Sequence, residues 1–155
     1  MNANLLDGEG NSPLYYAVIH RQVNLVGLLL SRQACVNDRD RSGNSLLHLA
    51  ILTGQLKTTL MLLSRDDIDY NARNNNGETV LALAASRIRF RKPCEEFATL
   101  VLDALLCKEG FDASAVNASL NVQDSRGNSP LHIAVLYRQY DVMRNLLLKN
   151  AQVNL

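Results

Sequence analysis

The sequence predicts an all-α repeat solenoid over residues 1–155, built from short helix-turn-helix pairs. Three observations carry that expectation. The segment Gly10-Asn11-Ser12-Pro13-Leu14 recurs as Gly127-Asn128-Ser129-Pro130-Leu131, with worn copies beginning at Gly43 and Gly77. Each copy is followed by a second apolar stretch that closes on a leucine pair: Leu29-Leu30, Leu62-Leu63, Leu105-Leu106 and Leu146-Leu147. An asparagine precedes each glycine by six residues, at Asn4, Asn37, Asn71 and Asn121. The glycines lie 33, 34 and 50 residues apart, and self-similarity at such a period marks units that bury a core only by stacking on one another.

Each unit is legible in the same order. The glycine allows the positive φ of a tight turn, and the Ser or Thr two residues later is placed to cap a helix. Pro13 and Pro130 then occupy the first helical position, where a missing N–H costs nothing. Leu46 and Val80 replace that proline in the middle copies. First helices are expected from Pro13 to about His20, Leu46 to about Thr53, Val80 to about Arg87, and Pro130 to about Tyr137. Ala17, Ala50, Ala84 and Ala134 recur at one place in them, so neighbouring helices can approach closely. Second helices are expected near 24–31, 57–64, 95–107 and 141–149, with Asn24 and Asp141 placed to cap two of them.

The repeats run approximately over 5–37, 38–71, 72–121 and 122–155. The third is expanded, since its span of 50 exceeds 33 by 17. Aligning its leucine pair with the others divides the excess into insertions near 87–96 and 110–119, and insertions in solenoids go to loops. Leu100, Leu105 and Leu106 keep the spacing needed to face the core. A first residue that falls late in one repeat, and a last residue just past Asn154, predict a piece of a longer array with uncapped ends.

The phrase Gly43-Asn-Ser-Leu-Leu-His-Leu-Ala50, with its counterparts, resembles the leading Gly-x-Ser/Thr-Pro-Leu-His-x-Ala motif of ankyrin repeats, in register with the leucine pairs and asparagines across nearly the whole chain. The resemblance implies β-hairpin fingers between the helix pairs. It also implies a binding surface for a partner protein along a concave face of finger tips and first helices. Carried over, the finger positions are Arg39, Arg41 and Ser42; Arg73, Asn75 and Asn76; Gln123, Ser125 and Arg126. The exposed first-helix positions are Ile19 and His20, Leu52 and Thr53, Ser86 and Arg87, Leu136 and Tyr137. His48 and His132 occupy the motif's histidine position, which implies a hydrogen bond to backbone between adjacent repeats.

Composition narrows the function. Lys and Arg total 16 against 15 acids, so bulk charge points to neither nucleic acid nor a membrane surface. The longest apolar stretches fall short of the roughly 20 residues of a membrane span, and the first residues lack a signal peptide's basic and apolar regions. Three scattered cysteines, Cys35, Cys94 and Cys107, argue for free thiols and an intracellular, cytoplasmic or nuclear, setting. The Asn117-Ala118-Ser119 sequon is then without consequence.

No catalytic constellation is expected. Ser12, Ser45 and Ser129 stand in Gly-Asn-Ser, not in a nucleophile elbow, and read as caps. Asp66, Asp67 and Asp69 lack the glycine and distal glutamate of a calcium loop. No histidine pair has helical metal-site spacing, so neither metal nor cofactor is expected. The sharpest remaining feature is the basic run Arg87-Ile88-Arg89-Phe90-Arg91-Lys92-Pro93, whose Arg89, Phe90, Arg91 and Lys92 form a secondary contact loop for a partner. Finger arginines tilt the groove basic, partly offset by Asp38, Asp40 and Asp124, which favours an acidic or phosphorylated partner segment. Two alternatives remain open: an inhibitor of a transcription factor resembling IκB-type ankyrin proteins, and the targeting module of a larger enzyme. By itself the chain is expected to be monomeric or to self-associate weakly through its ends.

Overall fold

The computed structural model describes residues 3–86, 100–101, 103–105 and 120–148. Within them the chain forms pairs of short helices. The first pair is α1 (Pro13–Ile19) and α2 (Val23–Ser31), the second α3 (Leu46–Leu52) and α4 (Leu56–Leu63). The third opens with α5 (Val80–Ser86), and residues 100–101 and 103–105 are helical as well. The fourth is α6 (Pro130–Leu136) and α7 (Tyr140–Leu148). First helices stack in a row, α1 on α3, α3 on α5 and α5 on α6, while α2 packs on α4. This is an all-α repeat solenoid.

Local chemistry starts each first helix where the sequence places it. The hydroxyl of Ser12 accepts from the N–H of Tyr15 at 3.1 Å, and that of Thr79 from Ala82 at 3.3 Å. Ser45 and Ser129 accept from His48 and His132, each at 3.4 Å. Helix-to-helix turns close by a shared device: the N–H of Gln22, Gln55 and Gln139 donates to the carbonyl of Ala17, Ala50 and Ala134, at 2.9, 2.8 and 2.8 Å. Those alanines and Ala84 are fully buried, so the recurring small residue sits where helices meet.

The structure corrects two local expectations. Asn24 and Asp141 lie inside the first turns of α2 and α7, which begin one residue earlier; Gln22 is the cap of α2, with no side-chain capping bond. Leu100 is 48% exposed, and Val101 with Leu105 faces the core instead. Counted back from Leu105, Leu100 takes the place of solvent-facing Asn24, Lys57 and Asp141, whereas Val101 and Leu105 match Val142 and Leu146, one helical turn apart. Among the described residues, two of the expected hairpin fingers close through single antiparallel bridges, Arg39 with Ser45 and Arg73 with Thr79. Both insertions, and Leu106, lie outside the described residues.

Burial identifies which edge of each repeat faces which neighbour. The first repeat buries Val18, Val26 and Leu30, whereas Tyr16, Leu25 and Leu28 stay exposed. The fourth buries Ile133, Val142 and Leu146, at the places of Tyr16, Leu25 and Leu29, and exposes Val135 and Leu147, at the places of Val18 and Leu30. The second repeat, flanked on both sides, buries both sets: Leu49, Thr58 and Leu62 on one edge, Ile51, Thr59 and Leu63 on the other.

Candidate partner-binding groove

Each finger turn is built on an Asx residue three positions before its glycine. One carboxylate oxygen of Asp40 accepts from the N–H groups of Ser42 and Asn44, both at 2.8 Å, and the other from the Asn44 amide at 2.9 Å. Asp7 and Asp124 accept from the corresponding pair of N–H groups in the first and fourth fingers, and Asn74 serves in the third, accepting at 3.0 Å from both Asn76 and Glu78. Burial raises the pKa of Asp124, but the N–H groups of Asn128 and Arg126 outweigh it and hold the carboxyl below its usual 3.8. Asp7 is lowered chiefly by the hydroxyl of Tyr16, which donates to it at 2.6 Å. These carboxylates are thus turn-formers before they are groove charges.

Successive fingers are tied edge to edge. The N–H of Asn75 donates to the carbonyl of Ser42, and that of Ser125 to Asn76, both at 2.9 Å. At the exposed surface of the stack, Asn4 accepts from the N–H of Cys35 at 2.7 Å, and Asn37 accepts from Asp69 at 2.8 Å while donating to the carbonyl of Asp67 at 2.7 Å. The sequence displays these asparagines as a periodic marker. What Asn4 and Asn37 do, bracketing a neighbouring segment through the side chain, becomes visible only across about 30 residues of chain.

His48 is the inter-repeat histidine. Its Nδ1 faces the N–H of Ser45 at 3.2 Å and so accepts; its Nε2 then carries the proton and donates to the carbonyl of Glu78 in the next repeat at 3.1 Å. Burial holds this imidazole below its ordinary 6.5. His132 makes the same contact to Ser129, at 3.3 Å, but its side chain is exposed.

The predicted contact residues divide into two groups. Arg39 is turned along the array: its guanidinium donates to the carbonyl of Arg73 at 2.7 Å and lies 3.6 Å from the Asp69 carboxylate. Asn75 donates its side-chain amide to the carbonyl of Arg41 at 3.1 Å, so it too joins fingers. Thr53 is half-buried and donates to Leu49 at 2.7 Å, and Leu52 is half-buried beside it. Arg41 remains exposed, 3.8 Å from Glu9; Arg126 is exposed at a finger tip, and Arg73 and Gln123 are exposed nearer the finger bases. Arg87, Arg89, Phe90, Arg91 and Lys92 lie outside the described residues.

One concavity gathers several of the rest. Between the third and fourth repeats a cavity of about 210 Å³ is lined by Asn76, Ser125 and Arg126 from the finger tips and by Ser86, Ile133, Leu136 and Tyr137 from the helices. Glu78, Asp124 and Asn128 complete its wall. The sequence reading did not select Glu78 or Asn128. Their signal was the turn itself, because side chains that close a finger are held at its base, where the wall forms. Among the described residues no group of three His, Cys, Asp or Glu is arranged to hold a metal ion, and no helix is long and apolar enough to cross a membrane.

The family model for ankyrin repeats (three copies) matches residues 1–74 and 67–155, and the chain belongs to the ankyrin-repeat family. No curated protein matches it in sequence. Ankyrin repeats are generally protein–protein interaction modules and typically carry no catalysis.

Proposed function

We propose that the concave groove binds an extended segment of a partner protein that carries acidic or phosphorylated side chains. The observation that carries this reading is the cavity of about 210 Å³ between the third and fourth repeats, where a guanidinium, polar finger tips and the ring of Tyr137 converge on exposed Leu136. Arg and Tyr are favoured anchors of protein interfaces, and a guanidinium pairs with carboxylate or phosphate through two parallel hydrogen bonds. Asp124 and Glu78 share the wall but already accept hydrogen bonds from their own turns, which leaves exposed Arg126 as the cation of the cavity wall.

Peptides selected on the chain from a display library, and their phosphorylated counterparts, provide the test by calorimetry. Selection is expected to enrich Asp, Glu or phosphoserine, and Arg126→Glu or Leu136→Ser is expected to weaken the selected peptides about tenfold, the equivalent of about 1.4 kcal/mol. Enrichment of basic peptides, or unchanged affinity in both variants, overturns the reading.

A further inference from the structure

Two leucines face solvent in the middle of the array. Leu60 is 41% exposed on α4, and Leu100 is 48% exposed on the second helix of the third repeat; both repeats have a neighbour on either side. Elsewhere their places are polar or bare. Gly27, Asp103 and Arg144 stand at the place of Leu60, and Asn24, Lys57 and Asp141 at that of Leu100. Contacts between repeats establish that the two leucines adjoin. A residue at the place of Leu60 meets, in the following repeat, the residue at the place of Met61. A Cβ on Gly27 would lie 2.9 Å from the Cε of Met61, and the Asn145 amide donates to the Asp103 carboxylate at 3.4 Å. The same rule sets Leu60 beside Ala104, and Leu100 stands one turn before Ala104 on its own helix. The order across the junction is then Lys57, Leu60, Ala104, Leu100, Asp103: an apolar strip with a cation on one flank and a carboxylate on the other. Lys57 and Asp103 are exposed, and Lys57 has no ion-pair partner among the described residues.

We infer that this strip is the contact face of a two-fold dimer with a second copy of the chain. Charge complementarity selects that occupant. A two-fold axis running along the junction sets each flank of the strip against the opposite flank of the other copy, as a self-complementary contact requires. Leu60 of one copy then meets Leu100 of the other, Ala104 meets its own counterpart, and Lys57 meets Asp103 on both flanks. Withdrawing the leucines from water supplies the attraction, and the flanking charges fix the register. The contact uses the whole strip of both copies, so association stops at two. No second helix lines the cavity between the third and fourth repeats, so the groove stays open in the dimer.

Sedimentation velocity from micromolar to millimolar concentration tests this independently of the groove. The wild-type chain is expected to pass from monomer to a dimer of fixed size. Lys57→Glu alone and Asp103→Lys alone are each expected to weaken that dimer at least about tenfold, because like charges then face each other on both flanks. An equimolar mixture of the two variants is expected to form a one-to-one dimer, since opposite charges meet again. Leu60→Glu is expected to give a monomer; if circular dichroism finds it unfolded, the two charge variants decide. A wild-type chain that stays monomeric throughout overturns the inference, as does one that grows past two copies. Charge variants that dimerise like the wild type, or a mixture of them that stays monomeric, overturn it equally.

Discussion

His48 concentrates the logic of a junction in one side chain. Its neutral form satisfies two neighbours, accepting from Ser45 and donating to Glu78. A second proton would place a charge on a ring that is buried inside the stack. Because the folded pKa lies below the ordinary 6.5, the unfolded chain takes up the proton first. Stability is then complete above about pH 6.5 and is lost as pH falls through the folded value, at no more than about 1.4 kcal/mol per pH unit. Thermal melting between about pH 7.5 and 5 is expected to fall in the wild type and to flatten in His48→Gln. Asp7 and Asp124 titrate below their usual 3.8, so their contribution disappears only at lower pH and does not blur the comparison. An identical slope in the variant would assign the effect to another group.

At the scale of the element, the fingers stack through backbone, and glycine makes the approach possible. Gly43 has φ +74°, and an added Cβ would press on the side chain and N–H of Asn75. Gly127 has φ +79° with nothing near. Gly127→Ala should therefore cost only the left-handed backbone penalty, about 1–2 kcal/mol, while Gly43→Ala should cost more because the next finger must also retreat. Chemical denaturation of the two variants measures the difference. Equal losses would mean that the finger contact between the second and third repeats contributes nothing. The helices themselves were legible: cap, proline and alanine stand within eight residues of each other, and local hydrogen bonds decide the start. The second helix of the third repeat was less so, since an insertion interrupts its phase and Val101 rather than Leu100 reaches the core.

Across the whole molecule stability is a property of junctions. Leu62 is fully buried in a repeat flanked on both sides, and Leu28 is more than half exposed at one end. Leu62→Ala is expected to destabilise by about 2–5 kcal/mol, Leu28→Ala by no more than about 0.5 kcal/mol, although both remove a leucine from a second helix of the same kind. Denaturant midpoints decide this, and comparable losses would show that the first repeat packs more tightly than its exposure implies.

The sequence by itself determined the repeat, its period and the start of every first helix. These follow from short-range rules: which residue caps, which tolerates positive φ, which spacing makes an apolar stripe. Tertiary structure decided the rest. Arg39 reads as a groove arginine, yet a carbonyl of the next finger lies within its reach and draws the guanidinium along the array. Leu25 and Val142 occupy one place in the repeat, yet the first is 39% exposed and the second fully buried, because burial depends on whether a neighbour is present. A periodic pattern states what each residue offers to the next unit; only the assembled stack supplies the unit that accepts it.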